Sequence, residues 1–233
     1  MRVLVLNGSP HRMKGSTGQL TGALVSGIVE AGGDVDIMCA YDLEASACLG
    51  CFTCWTRTPG RCTQRDDMDD VVAAVRRSDI LVLATPVYCD GMTGRLKTLM
   101  DRMLPLMHGA AEIRDGHMRH HPRDDTKVRT MVLVSTCGFV EQDNFDPLIH
   151  HAKALAKNLA CDFGGALTVP GGLKTDRVEQ IGKAAREAGI ELARTRAIPD
   201  HLQEAMHGHS VSRSEAVEGL NRHFGADRPE TAT

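Results

Sequence analysis

The chain has 233 residues, of which 42% are hydrophobic and 24% are charged, and this is the composition of a folded globular protein. Its net charge of −3 lacks the basic excess that marks a nucleic-acid-binding protein. No apolar run approaches the roughly 18 residues of a membrane span, and the apolar run at residues 3–6 is too short for a signal peptide. We therefore expect a soluble, cytoplasmic protein that binds neither nucleic acid nor membranes.

Five short apolar segments predict β-strands, and five amphipathic segments predict the helices that follow them. The strands are expected at residues 2–6, 35–38, 79–84, 131–134 and 166–169. The helical stripes begin at Leu20, Met68, Leu96, Leu148 and Val178. Because crossovers between parallel strands are right-handed, this alternation places helices on both faces of one sheet. The pattern predicts a three-layer, doubly wound α/β fold with five parallel strands, and ligands are expected beyond their carboxyl ends.

Two segments depart from this alternation. Residues 108–126 are rich in His and Asp, and we interpret them as a solvated insertion rather than a metal site. From residue 197 the pattern breaks, so we assign residues 1–196 to the α/β domain and residues 197–233 to a C-terminal helical tail. Within the tail, Ser212 and Glu215 have the spacing of a capping box for a last short helix.

The loop after the first strand has the residue types of a phosphate site. Glycines, hydroxyls and the positive end of the next helix dipole can together hold an anion. Lys14 precedes Gly15 instead of following it, so the loop is no P-loop, and the dinucleotide pattern G-x-G-x-x-G is absent. A monophosphate such as that of FMN remains, with simple helix capping by Ser16 as the alternative. The expected phosphate-binding residues are Ser9, His11, Arg12, Ser16 and Thr17.

Two later loops could hold a flat ring. Pro86 stiffens the exit of the third strand, and Gly91 and Gly94 allow close backbone approach to a planar ligand. The chain has only eight aromatic residues. Four of them, Phe52, Trp55, Tyr88 and Phe139, follow strands two to four and could stack on a ring or merely pack against neighbours. The expected ring contacts are Pro86, Val87, Tyr88, Cys89, Asp90, Gly91, Thr136, Cys137 and Gly138.

These motifs carry a family resemblance over roughly residues 1–170. Gly8-Ser9-Pro10, with Gly15-Ser16-Thr17 and Leu20, resembles the phosphate loop of NAD(P)H-dependent FMN reductases in the flavodoxin-like superfamily. Pro86-x-Tyr88, then Leu96-Lys97 and Asp101-Arg102, resembles the flavin-ring loop and the following helix. One departure is His11, which stands where that family usually has Arg, with Arg12 next.

The resemblance implies a flavodoxin-like fold that binds FMN and takes hydride from NADH or NADPH. Electrons would then pass to a small-molecule acceptor such as a flavin, quinone or nitro compound. The flavin supplies the chemistry, so we expect no catalytic side chain. A non-enzymatic flavin- or metal-binding sensor is the alternative of another class. Apolar residues around the third helix, from Leu96 to Met107, favour a homodimer or higher homo-oligomer.

Four of the eight cysteines crowd into one stretch with the spacing C-x2-C-x2-C-x7-C: Cys48, Cys51, Cys54 and Cys62. Three closely spaced thiols and a later one suit a [4Fe–4S] cluster. Zinc usually needs two separated pairs, and small half-buried free thiols are a further interpretation. A tyrosine-phosphatase signature starting at Cys51 follows the wrong strand, which argues against that activity.

With Asp66-Asp67-Met68, the cysteine segment looks like the branch of iron-sulfur flavoproteins, which implies an electron-transfer function as a rival to the reductase. The intervening Phe52 and Trp55 could order the loop by packing alone. We expect an ordered loop near the FMN site with no bound iron. Asp66, Asp67, Asp69 and Asp70 are interpreted as helix-opening residues that suit the helix dipole.

Overall fold

The computed structural model describes residues 1–173, 177–208 and 211–225. Its strands in chain order are β1 (Arg2–Asn7), β2 (Asp34–Cys39), β3 (Ile80–Pro86), β4 (Met107–Arg114), β5 (His117–Pro122), β6 (Thr130–Thr136) and β7 (Asp162–Val169). Five of them form one parallel sheet in the order β2-β1-β3-β6-β7. The predicted five-stranded parallel sheet is confirmed. From β1 the chain adds β2 on one side, and it then adds β3, β6 and β7 on the other side. The topological switch point therefore lies between β1 and β3, and open α/β sheets bind ligands at such a point.

Helices cover both faces of this sheet. In chain order they are α1 (Ser16–Glu30), α2 (Thr53–Thr56), α3 (Met68–Arg77), α4 (Gly94–Asp101), α5 (Asp146–Asn158), α6 (Val178–Thr195), α7 (Asp200–Glu204) and α8 (Arg213–Phe224). None of the described helices is long and apolar enough to span a bilayer.

Alternation along the strands divides the interior into two cores. Val3 and Val5 of β1 pack with Leu24 of α1 and with α6, whereas Leu4 and Leu6 pack with α3, α4 and α5. All four β1 side chains are fully buried, as expected for a strand covered on both faces. The fold is therefore the predicted three-layer α/β architecture.

Helices α1 and α6 make an unusually close backbone contact through two glycines. A Cβ built on Gly27 would lie 1.8 Å from the Arg186 carbonyl oxygen, and one built on Gly189 would lie 2.1 Å from that of Leu24. No side chain fits at either position. The helix whose N-terminus follows the predicted phosphate loop is thus held firmly by α6.

Two expectations from the sequence are wrong. Residues 108–126 are not a solvated loop, because β4 and β5 pair as an antiparallel hairpin. Helix α4 ends at Asp101, and Met107 already belongs to β4. Met107 is buried within the chain's own core, so this apolar stripe gives no support to a dimer.

The first part of the predicted tail packs on the domain. Ile198, Leu202 and Met206 are buried in the core shared with α1 and α6. Helix α8 has the predicted capping box, in which Ser212 and Glu215 bond reciprocally, but it buries none of its residues. His209 lies outside the described residues, and the domain boundary at residue 197 stays a prediction.

Candidate functional site

The loop after β1 folds back onto the start of α1. The Asn7 side-chain oxygen accepts the Ser9 N–H at 2.8 Å, and the Gly8 N–H donates to the Ala84 carbonyl oxygen at 2.7 Å. A Cβ on Gly18 would lie 2.3 Å from the Arg12 carbonyl oxygen, so only glycine allows this turn to rest on the helix. The loop is therefore fixed at the carboxyl end of β1.

The hydroxyls predicted for phosphate have different surroundings. Thr17 is buried, and its Oγ1 lies 2.7 Å from the Thr136 Oγ1 at the end of β6. Those two hydroxyls are therefore bonded to each other in this structure, although both were expected to face the cofactor. The N-cap of α1 is Gly15, so Ser16 is not the capping residue, and Ser16 is half-buried at the first position of the helix. Ser9 and Thr17 are buried, which leaves Ser16 as the most accessible of the three predicted hydroxyls.

The two other side chains predicted to face the phosphate also differ. Arg12 forms an ion pair with Asp42, which follows β2, and its backbone is left-handed with a φ of 53°. His11 is exposed, and both His11 and Arg12 line one shallow cavity with Gly15. The two side chains therefore reach the same space, but only Arg12 is held there by an ion pair.

The loop after β3 forms a tight turn. Tyr88 and Gly91 exchange two backbone hydrogen bonds of 3.0 and 3.1 Å, while Cys89 and Asp90 have φ values of 47° and 60°. Two left-handed central residues are typical of a type I′ turn. The Val87 N–H donates to the Thr136 carbonyl oxygen at 2.9 Å. The amides of Val87, Tyr88 and Gly91 are therefore already bonded within the chain.

Within the described residues, the amides of Cys89 and Asp90 at the turn tip make no hydrogen bond. Left-handed backbone in non-glycine residues costs of order 1–3 kcal/mol and is concentrated at functional sites. The tip thus combines two available N–H donors with a strained backbone.

The loop after β6 lies beside this turn. The Cys137 N–H donates to the Val169 carbonyl oxygen at 3.2 Å, and the Cys137 side chain is buried. Phe139 is 59% exposed and Tyr88 is 48% exposed, so two aromatic rings stand uncovered on loops of neighbouring strands.

The other two aromatics belong elsewhere. Phe52 stacks on Trp55 with ring centroids 5.1 Å apart, and Trp55 also packs against His120 of β5 at 4.3 Å. The Trp55 indole N–H donates to the Leu104 carbonyl oxygen at 2.9 Å. Within the described chain, neither ring contacts Tyr88 or Phe139. Phe52 and Trp55 therefore follow the second interpretation, packing against neighbours, and this pair fastens the cysteine segment to the hairpin.

The four predicted cysteines meet at one cavity. Cys48, Cys51, Cys54 and Cys62 all line it, together with Arg102 at the end of α4. Burial raises the pKa of Cys54, and the neighbouring thiols of Cys62, Cys51 and Cys48 raise it further. The Thr53 hydroxyl donates to the Cys51 sulfur at 3.4 Å and, with its backbone N–H, lowers the pKa of that thiol.

This arrangement discriminates among the metal alternatives. Among the described residues, no three His, Cys, Asp or Glu side chains converge on a point where one metal ion could bind. A single zinc ion needs sulfurs within about 2.3 Å of one centre, whereas the corners of an iron-sulfur cube hold their ligands further apart. Four thiols that line one cavity without converging on one point disfavour a single ion and leave an iron-sulfur cluster and free thiols as the alternatives.

Sequence analysis missed a buried ion pair next to this cavity. Arg102 and Asp66 have side chains 1% and 13% exposed, and they form two hydrogen bonds of 2.9 Å. Burial alone would raise the pKa of Asp66, but Arg102 and the N–H groups of Ser46 and Met68 lower it. Helix α3 begins at Met68, with Asp67 at its N-cap and Asp69 and Asp70 in its first turn, as expected for helix-opening residues. Asp66 lies two residues before the helix, and its carboxylate binds Arg102 instead. The Asp101-Arg102 motif was the available signal, but its partner could not be read from it.

The fold and these loops define the class: a flavodoxin-like α/β protein. Residues 1–139 match the family model described as NADPH-dependent FMN reductase. An iron-sulfur flavoprotein of Methanocaldococcus jannaschii is 35% identical over 203 residues, covering 83% of this chain and 96% of the relative. An iron-sulfur flavoprotein of Archaeoglobus fulgidus is 36% identical over 108 residues, which cover 46% of this chain and 48% of that relative. The chain belongs to the NADPH-dependent FMN reductase family, in the branch of the iron-sulfur flavoproteins.

Solved structures agree with this fold. An FMN-dependent NADH-azoreductase of Bacillus anthracis superposes with a TM-score of 0.63 at 15% identity, covering 82% of this chain and 99% of the azoreductase. An NAD(P)H:quinone oxidoreductase from Methanothermobacter marburgensis gives 0.62 at 17% identity, covering 82% and 96%. Likeness at such identities shows the fold alone, whereas family membership supports an FMN-dependent oxidoreductase.

Proposed function

We propose that this protein is an FMN-dependent NAD(P)H oxidoreductase that reduces a small-molecule acceptor of the flavin, quinone or nitro type. The observation that carries the proposal is the meeting of three loops at one edge of the sheet. The β1 loop is bonded to β3 through Gly8, and the β3 turn is bonded to β6 through Val87. This edge is also the switch point where the fold binds ligands.

The chain's own residues would divide the binding work. Ser16 and the N-terminus of α1 would hold the phosphate, because a hydroxyl and a positive helix end both favour an anion. The amides of Cys89 and Asp90 would donate to oxygen or nitrogen atoms of the ring. Tyr88 and Phe139 would cover its faces. Bound FMN supplies the hydride chemistry, and the protein binds and orients it.

Two measurements test this function. Flavin fluorescence titration of the purified chain should show one FMN site, and steady-state NADH and NADPH oxidation should depend on FMN and on an added acceptor. FMN binding without turnover of either nucleotide would instead favour a sensor. A chain that binds no FMN would refute the proposal.

We propose a second function for the cysteine cavity: its four thiolates bind a [4Fe–4S] cluster that exchanges single electrons with the flavin. The shared cavity supports this, and so do the relatives named iron-sulfur flavoproteins. The opposite expectation from sequence, a loop without iron, stays untested and competes directly with it.

Iron content decides between a bound cluster and a loop without iron. Protein prepared without oxygen should contain about four irons and absorb broadly near 400 nm beyond the flavin bands. The Cys51→Ser variant should lose the iron, while Cys89→Ser, at the exposed turn tip outside the cavity, should keep it. Wild-type protein without iron would instead support the sequence-based expectation of a loop that binds no iron.

We further propose a cytoplasmic homo-oligomer. Ile113 and Met118 face each other across the hairpin and are 73% and 72% exposed. Directly opposed residues share one face of an antiparallel pair, so together they make an apolar patch at the hairpin end. Light scattering measures the resulting mass.

A further inference from the structure

Arg102 carries one donor that the ion pair with Asp66 does not use. Its two terminal nitrogens both bond the Asp66 carboxylate, and Nη1 also donates to the Ser46 carbonyl oxygen at 2.7 Å. Its Nε is buried and has no hydrogen-bond partner among the residues that the structure describes. The whole residue is only 2% exposed, so water does not readily satisfy this donor. An unmatched buried donor of this kind is costly and calls for a physical explanation.

The cysteine cavity offers the missing acceptor. Arg102 and Cys62 both line it. The two residues also line the adjoining cavity between Gly60 and Met68, so the guanidinium and the Cys62 thiol are neighbours on two sides.

The charge around the cavity also depends on Arg102. Four thiolates would bring four negative charges, and Asp101 adds another at the lining. The carboxyl end of α4 reaches the same place and carries the negative end of the helix dipole. Arg102 is the only cation among the described residues that line this cavity.

We propose that Arg102 is a positioning residue for the cluster site, which donates from Nε to the Cys62 sulfur and thereby raises the reduction potential of the bound iron-sulfur group. This role rests on the cluster proposed above. Hydrogen bonds to ligand sulfurs and local charge are among the factors that set such potentials. A hydrogen-bond donor and a positive charge both stabilise the reduced cluster, because it carries one more negative charge, and this raises its reduction potential. Asp66 opposes the charge effect, because its carboxylate partly neutralises the guanidinium.

A merely structural role makes a different prediction. If Arg102 only tied Ser46 and Asp66 to the end of α4, changing either partner would affect folding or iron retention without a signed shift in potential. Donation to sulfur predicts opposite shifts when the donor and its counter-ion are changed separately.

The test uses the anaerobically prepared, cluster-bearing full chain and a dithionite titration followed by visible absorbance. Arg102→Lys keeps the charge but removes the planar donor, and the one-electron equilibrium should shift about tenfold toward the oxidised cluster, or about 59 mV lower. Asp66→Asn keeps Arg102 and removes its counter-charge, so the potential should rise. Arg65→Gln is the matched control, because Arg65 is half-exposed, pairs with Asp69 and does not line the cavity.

Each outcome has one interpretation. Opposite shifts in the two variants, with wild-type iron content and an unmoved control, support the role of Arg102. Unchanged potentials, shifts of the same sign, or loss of iron from both variants overturn it while leaving the cluster in place in the wild type. Wild-type protein without iron overturns the cluster itself, so the two failures are distinguishable.

Discussion

Ser16 and Thr17 are adjacent hydroxyls that the structure places in different roles, and separate substitutions should show this. Ser16 is half-buried, and its side chain makes no hydrogen bond within the described residues. A hydrogen bond to a charged group contributes about 1.5–3 kcal/mol, so Ser16→Ala should weaken FMN binding by roughly 10- to 150-fold. The free energy of unfolding of the Ser16→Ala apoprotein should differ from that of wild type by less than about 0.5 kcal/mol.

Thr17→Val should instead lower the free energy of unfolding and have little effect on FMN affinity. This change leaves the buried Thr136 hydroxyl without its partner at 2.7 Å, and such a loss costs about 1–3 kcal/mol of stability. The double variant Thr17→Val/Thr136→Val replaces both partners with apolar groups of similar shape and should recover most of that cost. FMN affinity should change less in both than in Ser16→Ala.

Urea unfolding of the apoprotein measures stability, and fluorescence titration with FMN measures affinity. The result that refutes this reasoning is an affinity for Ser16→Ala within twofold of wild type. A Thr17→Val variant with full stability but a hundredfold loss of affinity would instead restore Thr17 as a phosphate ligand.

Three further outcomes follow from the packing and the titratable groups. Gly27→Ala should destabilise the chain by about 1–3 kcal/mol or more in urea unfolding, because the new methyl group clashes with α6. Gly22→Ala on the same helix is the control. The nearest atom to its new methyl group lies 4.0 Å away, so this change should be neutral or stabilising. Burial raises the pKa of Cys161 from 9.0 to about 12. As the pH rises, the thiol therefore loses its proton in the unfolded chain before it does so in the folded chain. Between pH 9 and 12 this should lower the free energy of unfolding of wild type by about 1.4 kcal/mol per pH unit, a decrease that Cys161→Ala should lack. Replacing Ile113 and Met118 with Asp should lower the mass measured by light scattering, and an unchanged mass would remove the hairpin from the oligomer interface.

The strands of the sheet were predictable because their physics is local. Each is a short run of apolar residues with both faces buried, and β1 is fully buried from Val3 to Leu6. Helix α4 was overestimated because Leu104 and Met107 continue its apolar spacing. Pro105 was the contrary signal, since the residue before a proline disfavours helical backbone.

The hairpin and the site details depend on contacts that no local pattern displays. Strands β4 and β5 carry charged and His residues, and Trp55 packs on His120 from a distant part of the chain. The bond between Thr17 and Thr136 joins two loops that only the folded sheet brings together. Residue types at the edge of a parallel sheet therefore indicated which loops meet there, but not which hydroxyls bond to each other.

The glycine contact between α1 and α6 has a consequence for biosynthesis. Gly27, in the helix next to the β1 loop, is made well before Gly189 of the helix that locks it, because residues 28–188 lie between them. A contact between segments so far apart in sequence forms late, because the long intervening chain must first be ordered. We expect a nascent chain to lack a stable FMN site until α6 has emerged from the ribosome. Cofactor loading is then a post-translational event, and truncation before α6 should abolish it.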